Sequence, residues 1–271
     1  MSDPQITTDF PHSTFSGIIS DDQWQRSVVV IVGPTASGKT ALAKRLTKRL
    51  NGEVISADSR QVYKFFDIGT AKDKSFKQHL VDELDPRKEK FTAADFLSRT
   101  VALIEEIHRR GHLPIVVGGT GLYIDALIKG YHFPKGKRRR GQFKGRATPL
   151  PYQFLIFGIK LPRQELYLNI MQRAQQMVDG GLVAETKWLQ KLLPKNHELM
   201  KTIGYKQVAD YLDGRLTIGE LAPAITRATK IFVRHQTNWI KRWPVEWLPL
   251  TEALAAVQSL LLSSNKRERS V

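Results

Sequence analysis

The run VVVIV (Val28–Val32) leads without a break into GPTASGKT at 33–40. A short β-branched run stopped by glycine predicts a buried parallel strand. Glycine, four residues and then Gly-Lys-Thr predict a loop whose backbone N–H groups close around an anion at the start of a helix. Gly33 and Gly38 allow the turn, with Pro34, Thr35, Ala36 and Ser37 between them. Lys39 is placed to reach terminal phosphate oxygens, and the Thr40 hydroxyl to sit beside a bound Mg²⁺. An ATPase, a small-molecule kinase and an enzyme that expels pyrophosphate would all use this loop. It assigns a phosphate site and leaves open whose phosphate it holds.

Strand and helix signals alternate from there. Ser37 to Leu50 has helical spacing, Glu53–Ala57 reads as a second strand, and Ala93–Arg109 as a helix ending at Gly111. Pro114 opens a third apolar run, Ile115–Val117, which stops at Gly118-Gly119. The predicted class is α/β, a P-loop NTPase-like parallel sheet flanked by helices, with a mostly helical C-terminal part. KGKRRRGQFKGR (135–146) holds seven basic residues and no acid, bracketed by Pro134, Pro149 and Pro151, and reads as an exposed linker. Phe154–Ile159 returns to strand character. Helices are then predicted over about 163–180, 181–193, 204–212, 217–221, 222–242 and 251–262, with Trp239, Trp243 and Trp247 clustered before the last. The expected organisation is a flexible leader over 1–27, the P-loop core over 28–130, basic linker and strand over 131–161, the helical part over 162–262 completing the core, and a polar tail over 263–271.

Composition narrows the partners. Forty-two Lys and Arg against 26 Asp and Glu give a net charge of +16, which favours a polyanionic partner and above all nucleic acid. No cysteine is present, so disulfides and thiolate metal sites are excluded. No apolar run approaches the ~20 residues of a membrane span, and the first residues lack an apolar signal-peptide core. A soluble monomer in a reducing cytoplasm is the expectation.

A kinase or NTPase would also show an Asp at the end of a second buried strand, to hold the metal. The run at 115–117 ends instead in GGTGLY (118–123), which has no carboxylate. The strand-end carboxylate is Asp58, in VISADSRQVY (54–63), and it suits a metal ligand, a base or a helix N-cap.

Taken together, GPTASGKT, ADSRQVY, DIGTAK (67–72), HLVDELDP (79–86) and VGGTGLYIDAL (117–127) resemble the tRNA dimethylallyltransferase (tRNA isopentenyltransferase) family. PRQELYLNI (162–170), MVDGGLVAET (177–186), TIGYKQVADYLDG (202–214) and RATKIFVRHQTNW (227–239) continue the resemblance in the same order, over residues 28 to 247. It implies transfer of a dimethylallyl group from dimethylallyl diphosphate to N6 of an adenine beside the tRNA anticodon, with Mg²⁺. The loop from Gly33 to Thr40, joined by Arg227, would then hold the donor diphosphate, with Lys39 and Thr40 stabilising the leaving group. Asp58 would be the general base. Asp58, Ser59, Arg60, Gln61 and Thr120 would lie along the tRNA, as would Arg234, His235, Gln236, Thr237, Asn238 and Trp239. On the residues alone, His235 equally suits a solvated position, the tryptophans suit packing, and His79 suits a place beneath the site.

The chain departs from the pattern at the helical insert that relatives carry between GGTGLY and PR-x-x-LY. Only about thirty residues separate Gly130 from Leu161. The basic run Lys135–Arg146 is the expected substitute for phosphate contacts made by that insert. Smaller departures are Arg60 in place of Met, Phe65 in place of Gly, and His235 in place of Arg. Two alternatives stay open: transfer to a free adenine nucleotide, and a catalytically silent RNA-binding remnant. A nucleoside kinase is disfavoured for want of a second strand-end Asp or an arginine-bearing lid.

Overall fold

The computed structural model describes residues 26–133, 147–194 and 196–267. Ser27–Val32 (β1) runs through the phosphate loop into Lys39–Leu50 (α1), followed by Gly52–Ala57 (β2) and the two-residue strand Gln78–His79 (β3). Ala93–Arg109 (α2), Leu113–Gly118 (β4), Gly121–Lys129 (α3) and Gln153–Lys160 (β5) complete the first two-thirds. Arg163–Asp179 (α4), Leu182–Leu192 (α5), a 3₁₀ turn at Glu198–Lys201, Tyr205–Leu212 (α6), Ile218–Ile240 (α7), Glu246–Pro249 (β6) and Leu250–Arg267 (α8) follow.

The described strands form one six-stranded sheet in the order β3-β2-β4-β1-β5-β6, and every pairing is parallel. Alternation along β1 builds two layers. Val29 and Ile31 pack with Leu42 and Leu46 of α1 and with Ala253 and Val257 of α8. Val28, Val30 and Val32 pack with Phe96 and Ile104 of α2, Ile124 of α3 and Ile240 of α7. A third core joins α4, α5, α6 and α7 around Tyr205, and it reaches Val62, Tyr63 and Phe66 in the loop after β2. The helical part is thereby pressed onto the segment that follows Asp58.

The structure corrects the element boundaries in three places. The helices expected at 217–221 and 222–242 are one helix running through Pro223. Proline there removes a single backbone donor in the second turn, while Thr217 and Glu220 close a capping box at its start. β3 and β6 are too short to show a period in sequence. β4 begins at Leu113 and includes Pro114, whose missing N–H falls before the ladder to β1 starts at Ile115. The basic run at 135–146 lies outside the described residues. Its described flanks are drawn together by a bridge between Tyr131 and Ala147 and by the Thr148 N–H on the Gly130 carbonyl at 3.0 Å.

Phe65 has a φ of 72°, in the left-handed region that glycine occupies freely. Its ring meets Trp188 edge-on at 5.2 Å. We expect Phe65→Gly to be more stable than Phe65→Ala by about 1 kcal/mol, the reverse of the usual order, because both lose the ring contact and only alanine keeps the strain. Urea denaturation of the two variants checks this.

Candidate active site

The phosphate loop, the Asp58 loop and the GGTG turn stand side by side at the C-terminal ends of β1, β2 and β4, where open α/β sheets bind ligands. Gly38, at φ 93°, precedes α1, whose first turn carries no acidic residue and no side-chain cap. The free N–H groups of that turn and its dipole therefore face the loop unopposed. The Lys39 ammonium donates to the Pro34 carbonyl at 2.7 Å. Burial, reinforced by the Arg173 guanidinium, pushes its pKa down to about 7, with Asp58 opposing the shift. Arg173, from α4, is also held below the usual guanidinium range by burial, again opposed by Asp58. Two buried polar atoms here lack any hydrogen-bond partner, the Ser37 hydroxyl and Arg173 Nε. Two desolvated cations beside an open helix N-terminus, with orphaned donors, describe a site built for a polyanion.

Lys39 has a testable consequence. Its pKa is depressed from the unfolded lysine value, so the ligand-free fold gains stability as pH rises from about 7 toward 10.4. A diphosphate bound in the loop would reverse the depression. At pH 8 we expect uptake of about one proton on binding, and little below pH 6. Calorimetry in buffers of differing ionisation enthalpy reads this directly, and Lys39→Met removes it.

Asp58 Oδ1 accepts the backbone N–H groups of Arg60 at 2.8 Å and Gln61 at 3.3 Å. One oxygen thus does the capping expected of a strand-end Asp, while Oδ2 has no hydrogen-bond partner among the described residues. The Thr120 hydroxyl accepts the Ser59 N–H at 3.1 Å, and the Thr120 N–H donates to Ala57 at 3.2 Å. Gln236 of α7 joins the other two loops: its Oε1 accepts from Thr35 N–H at 2.8 Å and its Nε2 donates to the Gly119 carbonyl at 3.2 Å. A side chain on Gly119 would strike that amide and displace the brace.

Thr35 of the phosphate loop, the Asp58 loop, the GGTG turn and Arg173 open on one cavity of about 330 Å³, whose lining does not include Ser37 or Lys39. Thr35, Asp58, Ser59, Arg60, Thr120 and Arg173 supply polar wall, and Ile170, Ala174, Met177, Ile203, Ile225 and Phe232 supply apolar wall. Ile225, Thr229, Phe232 and Gln236 show that one face of α7 lines it.

Not every residue expected at the site is there. Arg227 is exposed and does not line the cavity; Arg173 brings the extra cation instead. Gln61 is spent inside its own loop, donating from Nε2 to the Thr70 carbonyl at 2.9 Å. Gln236 is a buried brace. Thr237 bonds back to Val233, and Trp239 packs on Gly121 with Arg242 over its ring at 4.4 Å. Trp243 is buried and donates to Asp125 at 2.8 Å, so these tryptophans are packing groups. Arg234, His235 and Asn238 are exposed on the outer side of α7. His79 bonds Glu53 at 2.7 Å and does not line the cavity. Arg173 went unnoticed in the sequence, although an arginine among Ile170, Ala174 and Met177 on one helical face is a visible signal.

Fold and site together define a P-loop-like α/β protein with an anion pocket and an adjoining carboxylate. A family model described as IPP transferase matches residues 61–148 and 135–243. The tRNA dimethylallyltransferase of Anoxybacillus flavithermus is 33% identical over 283 residues, covering 83% of this chain and 91% of that protein. That of Streptococcus pneumoniae strain Taiwan19F-14 is 36% identical over 287 residues, covering 87% and 96%. Among solved structures, the full-length tRNA isopentenylpyrophosphate transferase from Bacillus halodurans matches with a TM-score of 0.78 and 31% identity, over 91% of this chain and 100% of that one. A eukaryotic dimethylallyltransferase acting on tRNA shares the fold at a TM-score of 0.73 and 20% identity. The chain belongs to the IPP transferase family.

Proposed function

We propose that the protein is a tRNA dimethylallyltransferase, moving the dimethylallyl group of dimethylallyl diphosphate to N6 of the adenosine 3′-adjacent to the anticodon. One observation carries this reading. Arg173, whose Nε has no hydrogen-bond partner, and Asp58, whose Oδ2 has none among the described residues, line the same cavity, and Lys39 lies close enough to both for their charges to act on it. Positive charge to receive an anionic leaving group and a carboxylate to accept a proton thus stand together.

In the reaction the N6 lone pair forms a bond to C1 of the donor as the C1–O bond breaks and diphosphate departs. Lys39, Arg173 and the loop N–H groups stabilise the charge that develops on the diphosphate oxygens. Asp58 Oδ2 accepts the proton lost from N6, while Oδ1 stays committed to its own loop. The apolar wall around Ile170, Ala174 and Phe232 keeps water from the allylic carbon as its bond weakens. Thr40 would hold Mg²⁺. The orphaned donors fit a diphosphate to bring it, and the described residues hold no group of three His or carboxylates, so its remaining ligands come from diphosphate and water. When bound, the ion supplies further positive charge to the leaving group.

The target base must leave its stack to reach the cavity. Arg234, His235 and Asn238, exposed on α7, and Arg60 at the cavity would contact the surrounding RNA in this reading. The described residues contain no helix long and apolar enough to cross a membrane. Labelled dimethylallyl diphosphate and Mg²⁺, offered with unmodified tRNA and AMP in parallel, test the reading. Label in tRNA is expected; label in AMP alone would move the function to a nucleotide prenyltransferase, and label in neither would leave an RNA-binding remnant.

A further inference from the structure

Three segments that carry the family resemblance, DIGTAK, MVDGGLVAET and TIGYKQVADYLDG, give the cavity only stretches of wall, yet they meet at one side chain. The Glu185 carboxylate, on α5, accepts the backbone N–H groups of Asp67 at 3.3 Å, Ile68 at 2.9 and 3.1 Å, and Gly69 at 3.2 Å. The Tyr205 hydroxyl, at the start of α6, donates to the same carboxylate at 2.6 Å. Three successive amides turned toward one anion make a nest, and its bonds are charge-assisted.

Gly69 and Thr70 form part of the cavity wall. Phe65 at φ 72° and Ala71 at φ 47° bracket this turn with left-handed backbone, a conformation that persists only where surroundings impose it. There is no slack on the Tyr205 side, because a Cβ on Gly69 would fall 2.4 Å from that ring. The turn is also tied to the base. Gln61 Nε2 donates to the Thr70 carbonyl at 2.9 Å, and the Gln61 N–H donates to Asp58 Oδ1 at 3.3 Å.

We propose that Glu185 is a positioning residue for the acceptor. With Tyr205 it fixes the Gly69–Thr70 wall and, through Gln61, the loop that presents Asp58. The kinetic part rests on the prenyl-transfer reading; the structural part does not. Glu185→Gln places an amide N–H₂ where one oxygen met the nest, and Glu185→Asp keeps the charge on a shorter stem.

In the full chain, Glu185→Gln should lower kcat/KM for tRNA by about 10- to 100-fold, the size of a small misplacement of reacting groups. The Kd for dimethylallyl diphosphate, titrated directly, should stay within about twofold, since the donor pocket is not part of the clamp. Exchange of the Ile68 and Gly69 amide protons should be about tenfold faster. Glu185→Asp should recover part of both losses. Unchanged amide exchange, unchanged tRNA kinetics despite loosened amides, or donor affinity lost in proportion would each overturn the proposal. Should the unsubstituted chain transfer no dimethylallyl group, the functional reading fails, and unchanged amide exchange in Glu185→Gln overturns the clamp by itself.

Discussion

Replacing Asp58 with alanine should lower prenyl transfer by about 10²- to 10⁴-fold, the range for loss of a general base. Two roles coincide at this side chain, and Asp58→Asn separates them. The amide oxygen still accepts the Arg60 and Gln61 N–H groups, so the loop keeps its cap, while the position of Oδ2 can no longer take a proton. Both variants should therefore be equally inactive, with Asp58→Asn as stable as the unsubstituted protein. Donor affinity should not fall in either, because Asp58 is a negative charge close to a diphosphate pocket. Single-turnover transfer with saturating donor reads the chemical step. An active Asp58→Asn would reduce Asp58 to a cap.

Arg173→Met should cost about 10²- to 10³-fold in the same step, as expected for loss of a donor aimed at developing negative charge. The same substitution should leave the ligand-free protein no less stable, and even more so, because it removes a desolvated cation whose Nε has no partner. It also relieves Lys39, whose pKa should rise from about 7 once the neighbouring guanidinium is gone. A thermal melt and a single-turnover rate on one preparation test both halves. Equal losses in stability and rate would mark Arg173 as a packing residue. Arg227→Met, exposed on α7, is the matched control and should leave the donor step unchanged.

The sequence made the phosphate loop legible because local rules dominate there. An apolar β-branched run, a glycine-bounded loop and a helix start are all encoded within thirteen consecutive residues, 28–40. Asp58 could be located, and both of its candidate roles, cap and base, have an oxygen available. Elements whose existence depends on distant partners were not legible. β3 and β6 are strands only because β2 and β5 offer them edges. The continuity of α7 through Pro223 depends on packing against α4 and α6, which no local signal reports. The site residues divide the same way. Gln236 and Trp239 sit among exposed neighbours in sequence, but each faces inward, one bracing the phosphate loop and one covering Gly121. Arg173 joins the site only because α4 lies across the mouth of that loop, held there in part by the Asn169 side chain on the Ala36 carbonyl at 3.3 Å.

In the proposed function one cavity joins a diphosphate pocket to a base acting on a tRNA adenine. Nuclease digestion and mass spectrometry of tRNA incubated with the protein, dimethylallyl diphosphate and Mg²⁺ test it most directly. A dimethylallyl group is expected on N6 of the adenosine 3′ to the anticodon, absent when Lys39→Ala or Asp58→Ala replaces the protein. A dimethylallyl group at another nucleoside, or the same product from the Asp58→Ala protein, would contradict it.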